Sequence, residues 1–389
     1  MSLSNITLSA SVRQNLLSLQ GTADLLATTQ GRLATGKKVN SALDNPTNFF
    51  TAAGLDSRAS DISNLLDSIG NGVQVLQAAN TGITSLSKLV DTAKSIANQV
   101  LQQPSGYSAK STVTSAAALG GTAANLVDGV TIKSGQTIIV AANGSLPALT
   151  VTIGASESLD QLNTALAAGN LTASLDSANK LVITTTNDYA SSTIGAVTVG
   201  STPGTATFGA AVAPVADAVS QATRASLVSQ YNQILTQITT TAQDASFNGI
   251  NLLNGDTLKL VFNETGKSTS TITGVTFNPT GLGLAALTSG TDFLDNSSTN
   301  SVLAKLNTAS TTLRSQASAF GANLSIVQIR QDFNKNIINV LQTGSSALTL
   351  ADSNEEAANS QALSTRQSIA TSALSLANQA QQNVLQLLR

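Results

Sequence analysis

The chain has 389 residues and a formal net charge of −2, with only 10% charged and 3% aromatic residues. It contains no His and no Cys, which excludes Cys/His zinc sites, Ser-His-Asp and Cys-His nucleophiles, disulfides and thiol redox chemistry. The charge balance provides no basic surface for a nucleic acid. We therefore expect a protein that is not an enzyme and that needs no metal or cofactor.

The beginning of the chain bears on its location. Residues 1–7 show neither the cationic nor the apolar segment of a cleavable secretory signal, so we expect no such signal. No window of eighteen apolar residues occurs, so we expect no membrane insertion. The absence of Cys fits a protein that leaves the cell unfolded, or one that works where thiols would crosslink it.

The N-terminal segment is amphipathic and poor in charge. Residues 1–31 hold only two charged side chains, Arg13 and Asp24, while Val12, Leu16 and Leu19 recur at helical spacing. A surface with so little charge is poorly solvated by itself. We interpret this segment as an assembly surface that becomes ordered when many copies pack together.

Residues 56–101 carry the clearest period in the sequence. Apolar side chains recur every seven residues at Ile62, Ile69, Leu76, Ile83, Val90 and Ala97, and Leu86 belongs to a second stripe beside them. This spacing is typical of a coiled coil and requires partner helices. It predicts a rod roughly 65–70 Å long.

The composition changes between Pro104 and Pro214, where Gly, Ser and Asn separate short runs of alternating residue character that are typical of strands. Residues 137–140, 149–153 and 180–184 predict strands, and residues 158–166 predict one short helix. We therefore expect a β-rich domain inserted between helical segments.

Two later segments supply partners for the long helix. One carries Val228, Tyr231, Leu235 and Ile238, and the other carries Leu306, Leu313, Phe320 and Val327, followed by Phe333, Ile337 and Val340. Matching apolar stripes on three helices predict an internal bundle. The fold class that follows is mainly α, with long antiparallel coiled-coil helices and a β-rich insertion.

The C-terminal segment resembles the N-terminal one in character. Residues 367–388 hold no charge, and Ile369, Leu376 and Val384 lie on one face of a predicted helix. Ser353 and Glu356 have the spacing of a capping box that begins this helix. We interpret this segment as the second assembly surface.

These residues together give the chain a resemblance to bacterial flagellin, the subunit of the flagellar filament. The resemblance rests on Leu16, Leu19 and Leu26, and on the segments Gly31–Asp44, Ile69–Asn80, Phe247–Leu253, Ala377–Gln379 and Gln382–Arg389. Both ends of the chain match in the correct order, which is more specific than any single motif.

The resemblance implies a hairpin-like course of the chain. Residues 1–40 and 350–389 would form an inner coiled coil, residues 41–104 and 217–349 an outer helical shell, and residues 105–216 a variable, surface-exposed insertion. Within the shell, residues 249–287 would form a β-hairpin region. The implied polymerisation interface consists of Val12, Leu16, Leu19, Leu26, Leu33, Ile369, Leu376, Val384, Leu385, Leu388 and Arg389.

The implied partners follow from the same resemblance. They are further copies of this chain, the flagellar export apparatus with its export chaperone, and the filament cap and hook-junction proteins. The implied location is the extracellular flagellum, reached by export in the unfolded state, and the implied role is motility.

Two features depart from the family pattern. The variable insertion lies between the first and second shell helices rather than after the hairpin region. In flagellins sensed by an innate immune receptor, the first shell helix presents an Arg and a Leu and the second a Glu, but here these positions hold Thr92, Ile96 and Gln230. Loss of the guanidinium and its charge partner predicts weak or absent receptor activation.

Three alternatives stay open on the sequence. A hook–filament junction protein of the same superfamily would adapt rather than polymerise. A surface adhesin would use the insertion to bind glycans and the helices as a stalk, although three Tyr and no Trp argue against an aromatic sugar platform. An embedded enzyme would need a carboxylate pair, for which Glu157 and Asp160 are the one close candidate.

Overall fold

The computed structural model of the protein describes residues 10–200 and 207–387. The α-helices within these residues are α1 (Ala10–Thr35), α2 (Pro46–Gln102), α3 (Leu159–Leu166), α4 (Ala218–Asp244), α5 (Asn296–Thr349) and α6 (Ser353–Leu387). The strands are β1 (Tyr107–Ala109), β2 (Thr112–Thr114), β3 (Thr137–Val140), β4 (Leu149–Thr152), β5 (Leu171–Leu175), β6 (Leu181–Thr185), β7 (Val197–Gly200), β8 (Val215–Ala216), β9 (Thr257–Val261) and β10 (Thr269–Thr273). The predicted fold class, mainly helical with a β-rich insertion, is confirmed.

The chain forms two compact units. The first comprises the residues up to 71, residues 259–270 and the residues from 326 onward, and the second comprises residues 72–258 and 271–325. Among the helices that are described, none has the length and apolar character needed to cross a bilayer.

The start of α2 follows the chemistry of its first residues. Asn45 caps the helix, since its side-chain Oδ1 accepts the backbone N–H of Asn48 at 3.0 Å. Pro46 stands at the first helical position, where its fixed φ fits the helix and the N–H that it lacks has no intrahelical partner. The helix then continues for 57 residues, about 85 Å at 1.5 Å per residue.

The buried stripe of α5 keeps a strict interval of seven residues. It runs through Leu306, Leu313, Phe320, Val327, Asn334 and Leu341, all of which are buried. The prediction that Phe333 and Val340 continue this stripe is wrong, because their exposed fractions are 53% and 65%. A polar residue takes the buried position instead: the side-chain amide of Asn334 donates to the carbonyl of Phe262 at 2.9 Å, which satisfies it in an apolar setting.

The core of the first unit joins α2 to α5 near the tip of the β9–β10 hairpin. Ala59 and Ile62 pack with Leu341 in a small buried cluster, and Ile337 is packed against it, partly buried. The hairpin tip is fixed to α5 by Phe262, whose ring lies 5.9 Å from the Arg330 guanidinium carbon.

The insertion has a hydrophobic core of its own. Two three-stranded antiparallel sheets, ordered β2-β6-β5 and β4-β3-β7, enclose a buried cluster to which α3 contributes Leu162 and Leu166. The short helix predicted at residues 158–166 is confirmed, with Ser158 and Gln161 forming a reciprocal capping box. Strands β1 and β8 pair where the chain enters and leaves the insertion.

A single carboxylate organises one loop of the insertion. Partial burial opposes ionisation of Asp128, but the backbone N–H groups of Gly120, Val130, Ile132 and Thr131 outweigh it and lower the pKa of Asp128 to about 2. The side chain therefore stays charged throughout the physiological range and holds the loop through its hydrogen bonds.

A buried arginine ties together the second unit at the base of the insertion. The guanidinium of Arg224, on α4, donates to the carbonyl of Pro104 at 3.0 Å and to the carbonyl of Phe293 at 2.8 Å. It thereby connects the segments that follow α2 and precede α5. Beside it, the rings of Tyr231 and Phe293 meet edge to face at 6.0 Å.

We expect Arg224→Met to lower the free energy of unfolding by about 3 kcal/mol, because buried carbonyls lose a charged donor. Urea denaturation of the dilute monomer, followed by circular dichroism, measures this loss. The matched control is Arg314→Met, since Arg314 is exposed on α5 and its replacement should change stability by no more than about 0.5 kcal/mol. Equal effects of the two variants would contradict the assignment.

Candidate assembly surface

Helices α1 and α6 pair side by side in opposite directions. Arg32, near the end of α1, contacts Glu356, near the start of α6, with Nη1 and Oε1 3.2 Å apart. Further back along α1, Leu25 lies across from Leu363 and Arg366, along a shared groove. Residue numbers that fall on one helix while they rise on the other establish the antiparallel order. The first and last described helices therefore form one structural element.

The segments that connect this pair to the rest of the first unit are bonded to each other. The N–H of Ala351 donates to the carbonyl of Gly36 at 3.0 Å, and the N–H of Lys38 donates to the carbonyl of Thr349 at 2.7 Å. Gly36 has φ +70°, a left-handed conformation that favours glycine. Both connections therefore turn at the same place and hold α1 and α6 in register.

The cap of α6 differs from the prediction. The Oδ1 atom of Asp352 accepts the N–H of Asn354 at 2.8 Å and the N–H of Glu355 at 3.3 Å, so Asp352, not Ser353, caps the helix. The capping box predicted for Ser353 and Glu356 is wrong, because the Glu356 carboxylate turns to Arg32 instead. An acidic cap also suits the positive end of the helix dipole.

The predicted polymerisation residues fall into four groups. Leu16, Leu33, Ile369 and Leu376 are exposed, while Leu19 and Leu26 are half-buried. Val12 is a correction: it is only 3% exposed, so within the monomer it is unavailable to a neighbouring copy. The last group lies outside the described residues or side chains: Val384, Leu385, Leu388 and Arg389.

Two large apolar residues of α1 were not among those predicted. Leu17 and Leu25 are 70% and 55% exposed, more than the predicted Leu16. Their neighbours at helical spacing are mostly polar, which is typical of a solvent-facing helix surface, but the prediction followed the apolar stripe through Leu16 and Leu19 instead. With Ile369 and Leu376 on α6, they make the helix pair rich in large apolar side chains that the monomer leaves in solvent.

Helix α1 buries little apolar surface against α6 and the rest of the monomer. The buried residues of α1 are Val12, Thr22 and Thr29, two of which are polar. Each fully buried aliphatic side chain contributes about 1.5–3 kcal/mol, so this helix gains little apolar stabilisation from the monomer. The exposed leucines of α1 therefore form apolar surface that a neighbouring molecule can cover.

A groove of about 520 Å³ lies between α1 and α6. Leu25 and Ile369 supply apolar walls, and the guanidiniums of Arg32 and Arg366 line it with the Glu356 carboxylate. The Oε2 atom of Glu356 is buried and has no hydrogen-bond partner within the described part of the chain. An unpaired buried acceptor is costly, which makes this groove the most incompletely satisfied part of the pair.

The structure places every predicted bundle residue in the interior. Buried side chains are those of Ile62, Ile69, Leu76, Ile83, Leu86, Val90, Val228, Tyr231, Leu235, Ile238, Leu306, Leu313, Phe320 and Val327. In the second unit, α2 comes so close to the segment after α4 that a methyl group at Gly82 would overlap Ala245 and Leu253. Small residues at such positions allow this close approach.

The structure gives the surroundings of the residues in the predicted receptor patch and in the predicted carboxylate pair. Ile96 is buried rather than presented, while Thr92 and Gln230 are exposed. The Oε2 atom of Glu157 accepts the N–H of Gly154 at 3.0 Å, and Asp160 lies in the first turn of α3. Glu157 thus has a structural role in the loop before α3.

Two sequence models of one family match the two ends of the chain. The bacterial flagellin N-terminal helical region matches residues 6–131, and the bacterial flagellin C-terminal helical region matches residues 303–388. Together they cover more than half of the chain, in the order of the helices that pair in the structure. The chain belongs to the flagellin family.

Individual relatives agree with this assignment. Flagellin FljM of Caulobacter vibrioides is 32% identical over 165 residues, which is 42% of this chain and 59% of the relative. Flagellin FljK of the same organism is 30% identical over the same share of each chain. Flagellin A of Rhizobium meliloti is 36% identical over 90 residues, which is 23% of each chain.

The matches have definite limits. The chain spans about three-fifths of the length of the Caulobacter relatives. Residues 132–302 lie outside both family matches, so the resemblance at Phe247–Leu253 rests on that motif alone. The family is one of structural proteins rather than enzymes.

We expect Asp352→Ala to destabilise α6 by about 1 kcal/mol, because two N–H groups of its first turn lose their acceptor. Hydrogen exchange of the Asn354 and Glu355 amides in the monomer measures this directly. Ser353→Ala is the matched control, because the Ser353 side chain has no capping role and Ala has the higher helix propensity, so the helix should lose no stability. A larger effect at Ser353 than at Asp352 would restore the capping box.

Proposed function

We propose that this chain is the structural subunit of a bacterial flagellar filament, and that its paired terminal helices are the element through which copies assemble. Membership of the flagellin family supports this role. The observation that carries it is the exposure of large apolar residues along α1 and α6, notably Leu17, Leu25, Ile369 and Leu376. Covering such residues in a neighbouring copy supplies the driving force for polymerisation.

The architecture supports assigning different regions of the chain to different parts of a filament. The inner coiled coil would be residues 1–40 and 350–389, and the outer shell residues 41–104 and 217–349 with its hairpin region at 249–287. The insertion at residues 105–216 would lie on the filament surface. Its separate hydrophobic core supports this assignment, because a region with its own core can vary without disturbing the assembly helices.

The proposed route and partners follow from the same role. The chain would be secreted unfolded through the flagellar export apparatus with an export chaperone, and would add beneath the filament cap beyond the hook-junction proteins. The absence of Cys from the whole sequence supports passage as an unfolded chain, because no disulfide can form on the way.

Deletion of residues 380–389 should leave a folded monomer that no longer polymerises. The deletion removes part of α6 but none of the buried residues of the second unit. Full-length and truncated chains are incubated with filament seeds and compared by electron microscopy, with circular dichroism as the control for folding. Normal elongation by the truncated chain would refute the assembly role of the terminal helices.

Seeded growth also separates a filament subunit from a junction protein. A filament subunit should lengthen seeds in proportion to the amount of chain added. A junction protein should instead stop after a short added segment. Growth that stops after a short segment would identify the chain as a junction protein of the same superfamily.

We also propose that the innate immune receptor for flagellin responds weakly or not at all to this chain. Thr92 donates its hydroxyl to the carbonyl of Lys88, and Ile96 is buried, so neither offers the charged and apolar contacts described for sensed flagellins. Purified monomer in a receptor reporter assay should give a response far below that of a sensed flagellin. A response of ordinary strength would refute this proposal.

A further inference from the structure

The insertion joins the helices of the second unit through a narrow support. Strands β1 and β8 pair through Tyr107 and Ala216, and the carbonyl of Gly106 beside them accepts the side-chain amide of Gln221, on α4, at 2.7 Å. A two-stranded ribbon of this kind is only marginally stable by itself. Regions joined by so small a contact ordinarily move relative to each other.

A second contact joins the insertion to the start of α5. The Oγ atom of Ser191 donates to Oδ2 of Asp295 at 2.5 Å, and the side-chain amide of Asn296 donates to Oδ1 of Asp188 at 3.1 Å. Ser191 and Asp188 belong to the insertion, and neither lies in the β1–β8 ribbon. The insertion is therefore held at two separate places.

We propose that these two hydrogen bonds form a latch, in which Asp295 and Asn296 hold the insertion in one orientation on the helices of the second unit. A body attached at the ribbon alone can rotate about it. A body attached at two places cannot rotate unless one attachment breaks. The latch therefore makes the insertion and the helical part of the second unit move together.

Asp295 is suited to this role because its two oxygens have different tasks. Its Oδ1 atom accepts the N–H of Ser298 at 2.9 Å and thereby caps α5. This leaves Oδ2 directed at Ser191. The carboxylate cannot turn away from the insertion without giving up the helix cap, and a hydrogen bond to a carboxylate is stronger than one between neutral groups.

The buried charge of Asp295 has a counterpart in Arg224. Both side chains are buried. Burial lowers the pKa of Arg224, and the negative charge of Asp295 opposes that shift. The same guanidinium binds the carbonyl of Phe293 at 2.8 Å, close to Asp295 in the chain. Opposite charges that are held near each other offset part of the cost of burying each one.

A latched insertion has a consequence for the proposed filament, and this consequence rests on the proposed function. Every copy would carry its insertion at the same angle. The outer surface of the filament would then repeat as regularly as the helices beneath it.

The test measures the orientation of the insertion in the monomer. Since the chain has no Cys, Val130→Cys on the insertion and Arg314→Cys on α5 provide two sites for spin labels, and both native side chains are exposed. Distances between the labels should form one narrow distribution. Adding Ser191→Ala and Asn296→Ala should broaden it at least about twofold, because only the ribbon then holds the insertion.

Two controls accompany this measurement. Ser177→Ala combined with Asn307→Ala makes the same chemical changes at exposed positions of the insertion and of α5, and should leave the distribution narrow. Ser191→Thr keeps the hydroxyl and should also leave it narrow. A narrow distribution after loss of both latch contacts, or a broad one in the chain with an intact latch, would overturn the proposal.

Folding and filament growth are separated from the latch by design. Circular dichroism of the labelled variants should be unchanged, because Asp295 still caps α5. If the double variant does not fold, Ser191→Ala alone replaces it, and a distribution that stays narrow there would overturn the latch. Failure of the unmodified chain to elongate seeds would refute the filament function, whereas the latch is decided on the monomer alone.

Discussion

The pairing of α1 with α6 is the constraint on which the rest of the molecule depends. It places the first and last described helices side by side, and the hydrogen bonds between the segments at Gly36 and Thr349 fix where the pair joins α2 and α5. Yet the pair gains little from its own burial, because α1 buries one valine and two threonines. The pair is held in register but leaves leucines in solvent. Another molecule can therefore pack against it and bury those side chains.

The scarcity of charge gives each charged group of the interior a definite structural use. Arg224 replaces a conventional core residue with a guanidinium that gathers backbone carbonyls from two segments. Asp128 gathers backbone N–H groups in the same way in the insertion. Such groups fix the course of the backbone around them, because a charge-assisted hydrogen bond is directional where hydrophobic contact is not.

The long helices and the insertion are stabilised by different means, so the packing of one does not depend on the packing of the other. The helices depend on stripes repeated every seven residues, so a single insertion within a stripe would shift every later side chain off the buried face. The β-rich region closes its own core and enters and leaves through the paired strands β1 and β8. Length can therefore change there without altering the register of the helices.

The sequence predicted the elements whose signals are local or periodic. The stripe through Ile62, Leu76 and Val90, the helix capped by Ser158 and the strand at residues 137–140 all follow from spacing and turn chemistry. It missed features that depend on distant residues. The interval of seven residues continues from Val327 to Asn334, but a polar side chain is accepted at that buried position only because the carbonyl of Phe262, distant in sequence, lies beside it.

The amino-acid sequence by itself determined the class of fold, the family resemblance and the exclusion of Cys- and His-dependent chemistry, because these depend on composition, period and motif. Only the tertiary structure decided which leucines of α1 face solvent, that Asp352 rather than Ser353 caps α6, and that Glu356 turns to Arg32. The reason is physical: a helix has several faces of similar composition, and which face is buried is settled by the partner that packs against it.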